Sequence, residues 1–169
     1  MHIIEVDFLD LDSLRNISID TFMIAFGAVN EKENMDAYIS QAFSASQLAK
    51  EIREPETTFY FAMEKETVVG YLKLNTGQAQ TDLQEANSLE IERIYVLPDV
   101  QGRGIGGQML DFAIEKALIM EKEFIWLGVW EHNHGAIRFY SSYGFSQFDQ
   151  HPFMLGKDRQ IDLLFRKKL

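Results

Sequence analysis

Residues 94–110, IYVLPDVQGRGIGGQML, join the end of a β-branched run to the start of an apolar helical one, with glycines at 102, 104, 106 and 107 between them. Pro98 ends the strand side, since proline cannot donate to a sheet ladder. A strand, a glycine-rich turn and a helix in this order predict an α/β fold. They also leave free backbone N–H groups at a helix N-terminus, where hydrogen bonds and the helix dipole favour a phosphate. Glycine lets the backbone approach such a group closely, and Arg103 offers a charge to it.

Three phosphates fit a loop of this kind. An ATP loop needs Lys-Ser/Thr after its last glycine, and here Gly107 is followed by Gln108 and Met109. A dinucleotide fingerprint, Gly102-x-Gly104-x-x-Gly107, has the right spacing. In that fold, however, the strand runs almost directly into the first glycine, and here LPDVQ intervenes. The acid expected about 20 positions on falls in FIWLGVW, which has none. A coenzyme A pyrophosphate cradle, Gln101-x-x-Gly104-x-Gly106 opening a helix near Ile105, accounts for the whole segment. A glycine loop that only turns the chain is the plain structural alternative.

Outward from this segment, the pattern is mixed. HIIEV (2–6) reads as a strand, and DLDSLRNISIDTF (10–22), NMDAYISQAF (34–43) and SASQLAKEIREP (44–55) as helices, the last stopped by Pro55. TTFYFAM (57–63) and TVVGYLKLN (67–75) form a hairpin, and 76–88 is a polar loop. LEIERIYV (89–96) alternates, which puts Glu90, Glu92, Ile94 and Val96 on one face and Leu89, Ile91, Arg93 and Tyr95 on the other. Downstream come a helix over 105–120, a buried strand FIWLGVW (124–130), a helix over 133–144 and a strand FSQFD (145–149). A hairpin over 154–168 closes the chain. At 169 residues this is one domain, 1–169.

The sequence has no cysteine and a formal net charge of −10. Thiol catalysis and disulfides are thereby excluded. Such an acidic chain is not expected to hold nucleic acid through a phosphate-neutralising surface, but it attracts cationic molecules. No apolar run reaches membrane length, so no membrane partner and a cytoplasmic location are expected.

The segment 94–110 resembles the acetyl-CoA signature of the GNAT N-acetyltransferases. NHGAIRFYSSYGF resembles that family's second signature, Asn133-x-x-Ala136-x-x-x-Tyr140-x-x-x-Gly144-Phe145. More narrowly, SLEIERIY, IWLGVWE and ENMDAY are similar to the bacterial PaiA-type spermidine/spermine acetyltransferases. The resemblance implies a single mixed, mostly antiparallel sheet flanked by helices, with splayed central strands holding acetyl-CoA as cosubstrate and no metal.

Acetyl transfer to an amine needs a base for the amine proton, a donor to the developing oxyanion and an acid for the leaving thiolate. Glu90 and Glu92 are the candidate bases, side by side on an apolar strand. Solvation, or pairing with an arginine, is the alternative for either. Tyr140 is the candidate acid, because a phenol keeps its proton at neutral pH; spacing alone suits an amphipathic core tyrosine, and the acid role is what the resemblance implies. The resemblance implies that the main chain at Ile94, Tyr95 and Val96 meets the pantetheine arm. It gives Gln101, Gly102, Arg103, Gly104, Ile105, Gly106 and Gly107 to the pyrophosphate, and Asn133 and Tyr140 to the coenzyme as well.

Asn133 also suits a helix N-cap, and His132 and His134 beside it read as surface residues. Trp130, Tyr38 and Glu33 are candidates for the acceptor side. The acceptor implied is a small-molecule amine, a polyamine such as spermidine or spermine. Protein N-terminal or lysine acetylation, aminoglycoside acetylation and a non-catalytic acyl-CoA-sensing regulator are the alternatives, and a homodimer is an open assembly.

Overall fold

The computed structural model describes residues 1–169. Its elements in chain order are β1 (His2–Glu5), α1 (Leu11–Phe26), α2 (Lys32–Ala42), α3 (Ala45–Ile52), β2 (Thr57–Glu64), β3 (Thr67–Asn75), β4 (Ser88–Val96), α4 (Ile105–Ile119), β5 (Phe124–Trp130), α5 (His134–Ser142), β6 (Ser146–Leu155) and β7 (Asp158–Lys168). The seven strands form one sheet in the order β1-β2-β3-β4-β5-β7-β6. All neighbours are antiparallel except β4 and β5, which α4 connects as parallel strands. This is the mixed, mostly antiparallel α/β sheet that the family resemblance implies. No helix is long and apolar enough to cross a membrane.

Each face of the sheet buries its own core. Ile105, Met109, Leu110 and Ala113 of α4 pack with Leu72, Leu89, Ile91 and Ile125 on one face. Leu14, Ile17 and Phe22 of α1, Met35 of α2 and Leu48 of α3 pack with Phe59, Phe61 and Tyr71 on the other. A sheet covered on both sides is buried along its middle, which is why β3 and β5 read as near-continuous apolar runs.

Two sequence expectations are corrected. FSQFD and the closing hairpin are not separate: β6 runs on to Leu155, and it pairs with β7 from Ser146↔Arg166 to Leu155↔Asp158. Pro152 lies within it, tolerated because β6 is the sheet's outer strand. The second correction bears on function. The β3–β4 register passes from Lys73↔Arg93 to Leu74↔Ile91, so Glu92 is an extra residue in a β-bulge. A bulge breaks the strict two-residue alternation. Ile94 and Val96 therefore join Leu89 and Ile91 on the α4 face, while Tyr95 moves to the face of the α1–α3 helices, its ring 5.8 Å from that of Tyr71. Glu90 and Glu92 do not share a face with Ile94 and Val96.

Candidate active site

β4 and β5 pair only from Ser88↔Phe124 to Ile91↔Leu127. Beyond that they separate, because the bulge bends β4. The end of β4 stays with β3 through Gly70↔Val96, and the end of β5 stays with β7 through Trp130↔Asp162. The gap between them is a cavity of about 940 Å³, lined by the glycine loop beyond the end of β4, by Glu90 and Tyr140, and by Trp130 and Asp162 at the end of β5.

At the first end, Gly104 caps α4 with φ 80° and Gly102 has φ 74°. A Cβ at either would meet no atom within 4 Å. These two glycines are thus required by left-handed backbone, and the space in front of them is open. The first helical bond is Gln108 N–H to Gly104 O at 3.1 Å, so the N–H groups of Ile105, Gly106 and Gly107 precede it and have no helical acceptor. Gln101 Nε2 donates to Val96 O at 2.9 Å and ties the loop to the strand end. A pyrophosphate fits this row of donors.

Two of the loop's expected roles change. The guanidinium of Arg103 reaches away from the cavity, its Nη2 2.7 Å from Glu64 Oε1, so its charge is already matched. At Gly107 a Cβ would lie 2.5 Å from Tyr143 Oη, so that glycine admits the tyrosine as much as it serves the loop.

Two glutamates line the cavity, Glu90 and Glu92, both held by one amide. Asn75 Nδ2 donates to Glu90 Oε2 at 3.0 Å and to Glu92 Oε2 at 2.6 Å. Otherwise their surroundings differ. Glu92 lies 2.6 Å from Lys73 Nζ and 3.2 Å from Arg93 Nη2, and Glu51 bonds both cations from α3. Against the upward push of burial, the charges of Arg93 and Lys73 hold the Glu92 carboxyl below its ordinary value. Glu90 is 2% exposed and meets no cation. Besides Asn75 it accepts from Thr81 N–H at 2.9 Å and from the Thr81 hydroxyl. Burial pushes its carboxyl up to about 7, against those hydrogen bonds. Of the pair, Glu92 is a fixed anion and Glu90 a group able to gain and lose a proton near neutrality.

Thr81 belongs to the segment read as a polar loop, yet it is held in place. Gln80, two percent exposed, accepts from Trp126 Nε1 at 2.7 Å and Ser88 Oγ at 2.8 Å.

Tyr140, on α5, is buried against Phe139 and Phe145 and lines the cavity. Burial alone raises its pKa well above the usual phenol value, with no charge or hydrogen bond acting on it. Asn133 caps α5, its Oδ1 accepting from Ala136 N–H at 3.1 Å, and lines the cavity as well.

At the far end, Trp130 stacks edge-on against Phe26 of α1 at 6.2 Å. Asp162 faces it on β7, and burial raises the Asp162 carboxyl. His151 Nδ1 lies 2.7 Å from Asp82 Oδ2, and its Nε2 3.9 Å from Asp162. Tyr38 reaches the cavity wall, stacked on Phe22 at 4.7 Å. Glu33 does not: it is exposed in the first turn of α2, because that helix turns Met35, not Glu33, to the core. His132 is also exposed, its ring beside Trp130.

Sequence reasoning missed Asn75, Lys73, Thr81, Asp82, His151 and Asp162. The lysine and asparagine inside TVVGYLKLN were a usable signal, since polar side chains in a buried strand need partners. The others offered none.

Comparison with known proteins gives three kinds of match. The acetyltransferase (GNAT) family matches residues 11–145. An uncharacterized N-acetyltransferase from Lactobacillus delbrueckii subsp. lactis is 42% identical over 167 residues, covering 99% of this chain and 96% of its own. An uncharacterized N-acetyltransferase from Mycobacterium bovis is 24% identical over 160 residues, 95% of this chain and 98% of its own. In fold, the chain is similar to the crystal structure of the PaiA N-acetyltransferase from Thermoplasma acidophilum in complex with coenzyme A. That likeness has a TM-score of 0.81 at 21% identity and covers 99% of this chain and 98% of the other.

Proposed function

This chain belongs to the acetyltransferase (GNAT) family and is an acetyl-CoA-dependent N-acetyltransferase, and we propose that its acceptor is a polyamine and that Glu90 and Tyr140 move the two protons. The observation that carries the mechanism is the contrast between the two glutamates. Bound acetyl-CoA supplies the acetyl group as a thioester. The N–H groups of Ile105, Gly106 and Gly107 would hold its pyrophosphate, and the open edge of β4 at Ile94, Tyr95 and Val96 its pantetheine arm.

Glu90, with no cation to hold it ionised, takes the proton that the amine must lose. A lysine-like amine has a pKa near 10.4, so shedding that proton at pH 7 costs about 4.6 kcal/mol. A base poised near 7 offsets part of this. Tyr140 keeps its proton across the neutral range and gives it to the sulfur as the thiolate leaves. Glu92 stays paired with Lys73 and Arg93 and fixes the strand at the bulge.

The acceptor side supports a cationic amine carrying more than one charge. Trp130 and Phe26 offer aromatic faces, and Asp162 and Asp82 offer carboxylates, in a protein of net charge −10. The PaiA-type resemblance of the sequence points the same way. Turnover should be measured with labelled acetyl-CoA and a panel of acceptors: spermidine, spermine, monoamines, aminoglycosides, and peptides with a free N-terminus or a lysine. Spermidine and spermine are expected to give the highest kcat/KM. Turnover confined to peptides or aminoglycosides would remove the polyamine assignment, and no turnover with any amine would favour an acyl-CoA-sensing role.

A further inference from the structure

Asn75 lies opposite Glu90 on the neighbouring strand, and the two side chains are 1% and 2% exposed. An amide carries two N–H donors and one carbonyl oxygen, and here each is used. Thr57 Oγ1 donates to Asn75 Oδ1 at 2.9 Å, while Nδ2 serves the two glutamates. The reverse orientation would set the amide oxygen against two carboxylates.

We infer that Thr57 and Asn75 form a positioning relay: Thr57 anchors the amide oxygen, so that the amide nitrogen stays turned toward Glu90 and holds it ready to accept the amine proton. The inference rests on the reading of Glu90 as the base. Neither residue touches the reacting atoms; both act through Glu90.

Glu92 depends little on this amide, because Lys73 and Arg93 already compensate it. Glu90 has only Asn75 and Thr81 as polar support. A hydrogen bond donated to a carboxylate favours its charged form, so weakening the relay should make Glu90 harder to ionise. The charged groups around it are Glu92 and Arg93 on β4, Lys73 on β3, Glu51 on α3, Asp82 beside Thr81, and His151 and Asp162 on β6 and β7 across the cavity. None of them is altered by a change at Thr57.

The test follows the Glu90 carboxyl by carbon NMR in glutamate-labelled protein as a function of pH, with Glu90→Gln to assign the signal. Thr57→Val keeps the side-chain shape and removes the hydroxyl; Thr57→Ser keeps the hydroxyl. In Asn75→Ala the titration midpoint should rise by about one pH unit, the shift expected from one lost charge-assisted hydrogen bond. In Thr57→Val it should rise by less, and in Thr57→Ser it should stay at the wild-type position. The acid limb of kcat/KM should move with the midpoint. Should Asn75→Ala fail to fold, the Thr57 pair carries the comparison alone. A wild-type midpoint in folded Thr57→Val would overturn the relay. If Glu90→Gln kept the acid limb of kcat/KM in place, the reading of Glu90 as base would fall and the relay's catalytic meaning with it.

Discussion

Lys73 Nζ lies 2.6 Å from Glu92 Oε2, and no cation stands against Glu90 two residues earlier. That contact makes Glu92 a structural ion. Its folded pKa is depressed, so its stabilising contribution is present above the ordinary carboxylate value and is lost as pH falls through the lower folded one. Glu92→Gln leaves Lys73 and Arg93 buried with Glu51 as their remaining anion. The variant should lose about 3–5 kcal/mol in urea denaturation at pH 7, the usual cost of removing one partner of a buried pair. The deficit should shrink in strong acid, where wild-type Glu92 is protonated too.

Glu90 should set the acid side of the pH profile. Its carboxyl is pushed up to about 7 by burial, and only the ionised form can take a proton. With the acceptor saturating, kcat should climb as pH rises through about 7 and level off above it. Glu90→Gln should remove that step and lower kcat by about 10²–10⁴-fold, with acetyl-CoA affinity, read by calorimetry, close to wild type.

What the sequence made legible was local. The order strand, glycine turn and helix around 94–110 located α4's N-terminus, because glycines at 102 and 104 are needed for left-handed backbone. The Asn133 cap followed from its place at the start of α5, whereas Tyr140 was singled out by the second-signature resemblance, since spacing alone suits a core tyrosine. What stayed hidden was set by register. The bulge at Glu92 reverses the faces of every residue after it, and nothing in LEIERIYV announces an extra residue. Likewise Asp162 becomes a neighbour of Trp130 and His151 only through pairing of β7 with β5 and β6, a contact between segments far apart in the chain.

Tyr140→Phe isolates the acid step. Burial is the sole influence on its hydroxyl, so the substitution removes no protein hydrogen bond. Thermal stability should stay close to wild type, because the ring and its packing are kept, while kcat falls by about 10²–10⁴-fold. Because its pKa lies above the usual phenol range, Tyr140 should contribute no descending limb to the wild-type profile below about pH 10.

The two kinds of glycine in the loop should respond differently. Gly104→Ala forces a side chain onto φ 80° and should cost about 1–2 kcal/mol, weakening acetyl-CoA binding as the α4 donors shift. Gly107→Ala instead collides with Tyr143 Oη. In a Tyr143→Phe background that obstacle is gone, so a double-mutant cycle of denaturation free energies should show coupling at Gly107 and none at Gly104.

Asp162→Asn tests the far end of the cavity. The carboxylate is raised by burial, and only His151, 3.9 Å away, offsets it. A second ammonium on the acceptor would supply a closer counter-charge than His151, whereas a monoamine reaching Glu90 would leave it untouched. Asn keeps the shape and removes the charge. KM for spermidine should rise by about tenfold, equivalent to about 1.4 kcal/mol of lost binding, while KM for a monoamine of similar length changes little. Since Asp162 is opposite Trp130, four residues along β5 from the Trp126 that is opposite Glu90, kcat at saturating spermidine should hold near wild type. Equal effects on both amines would mean that Asp162 shapes the cavity without reading charge, and its contact with His151 would then be its main role.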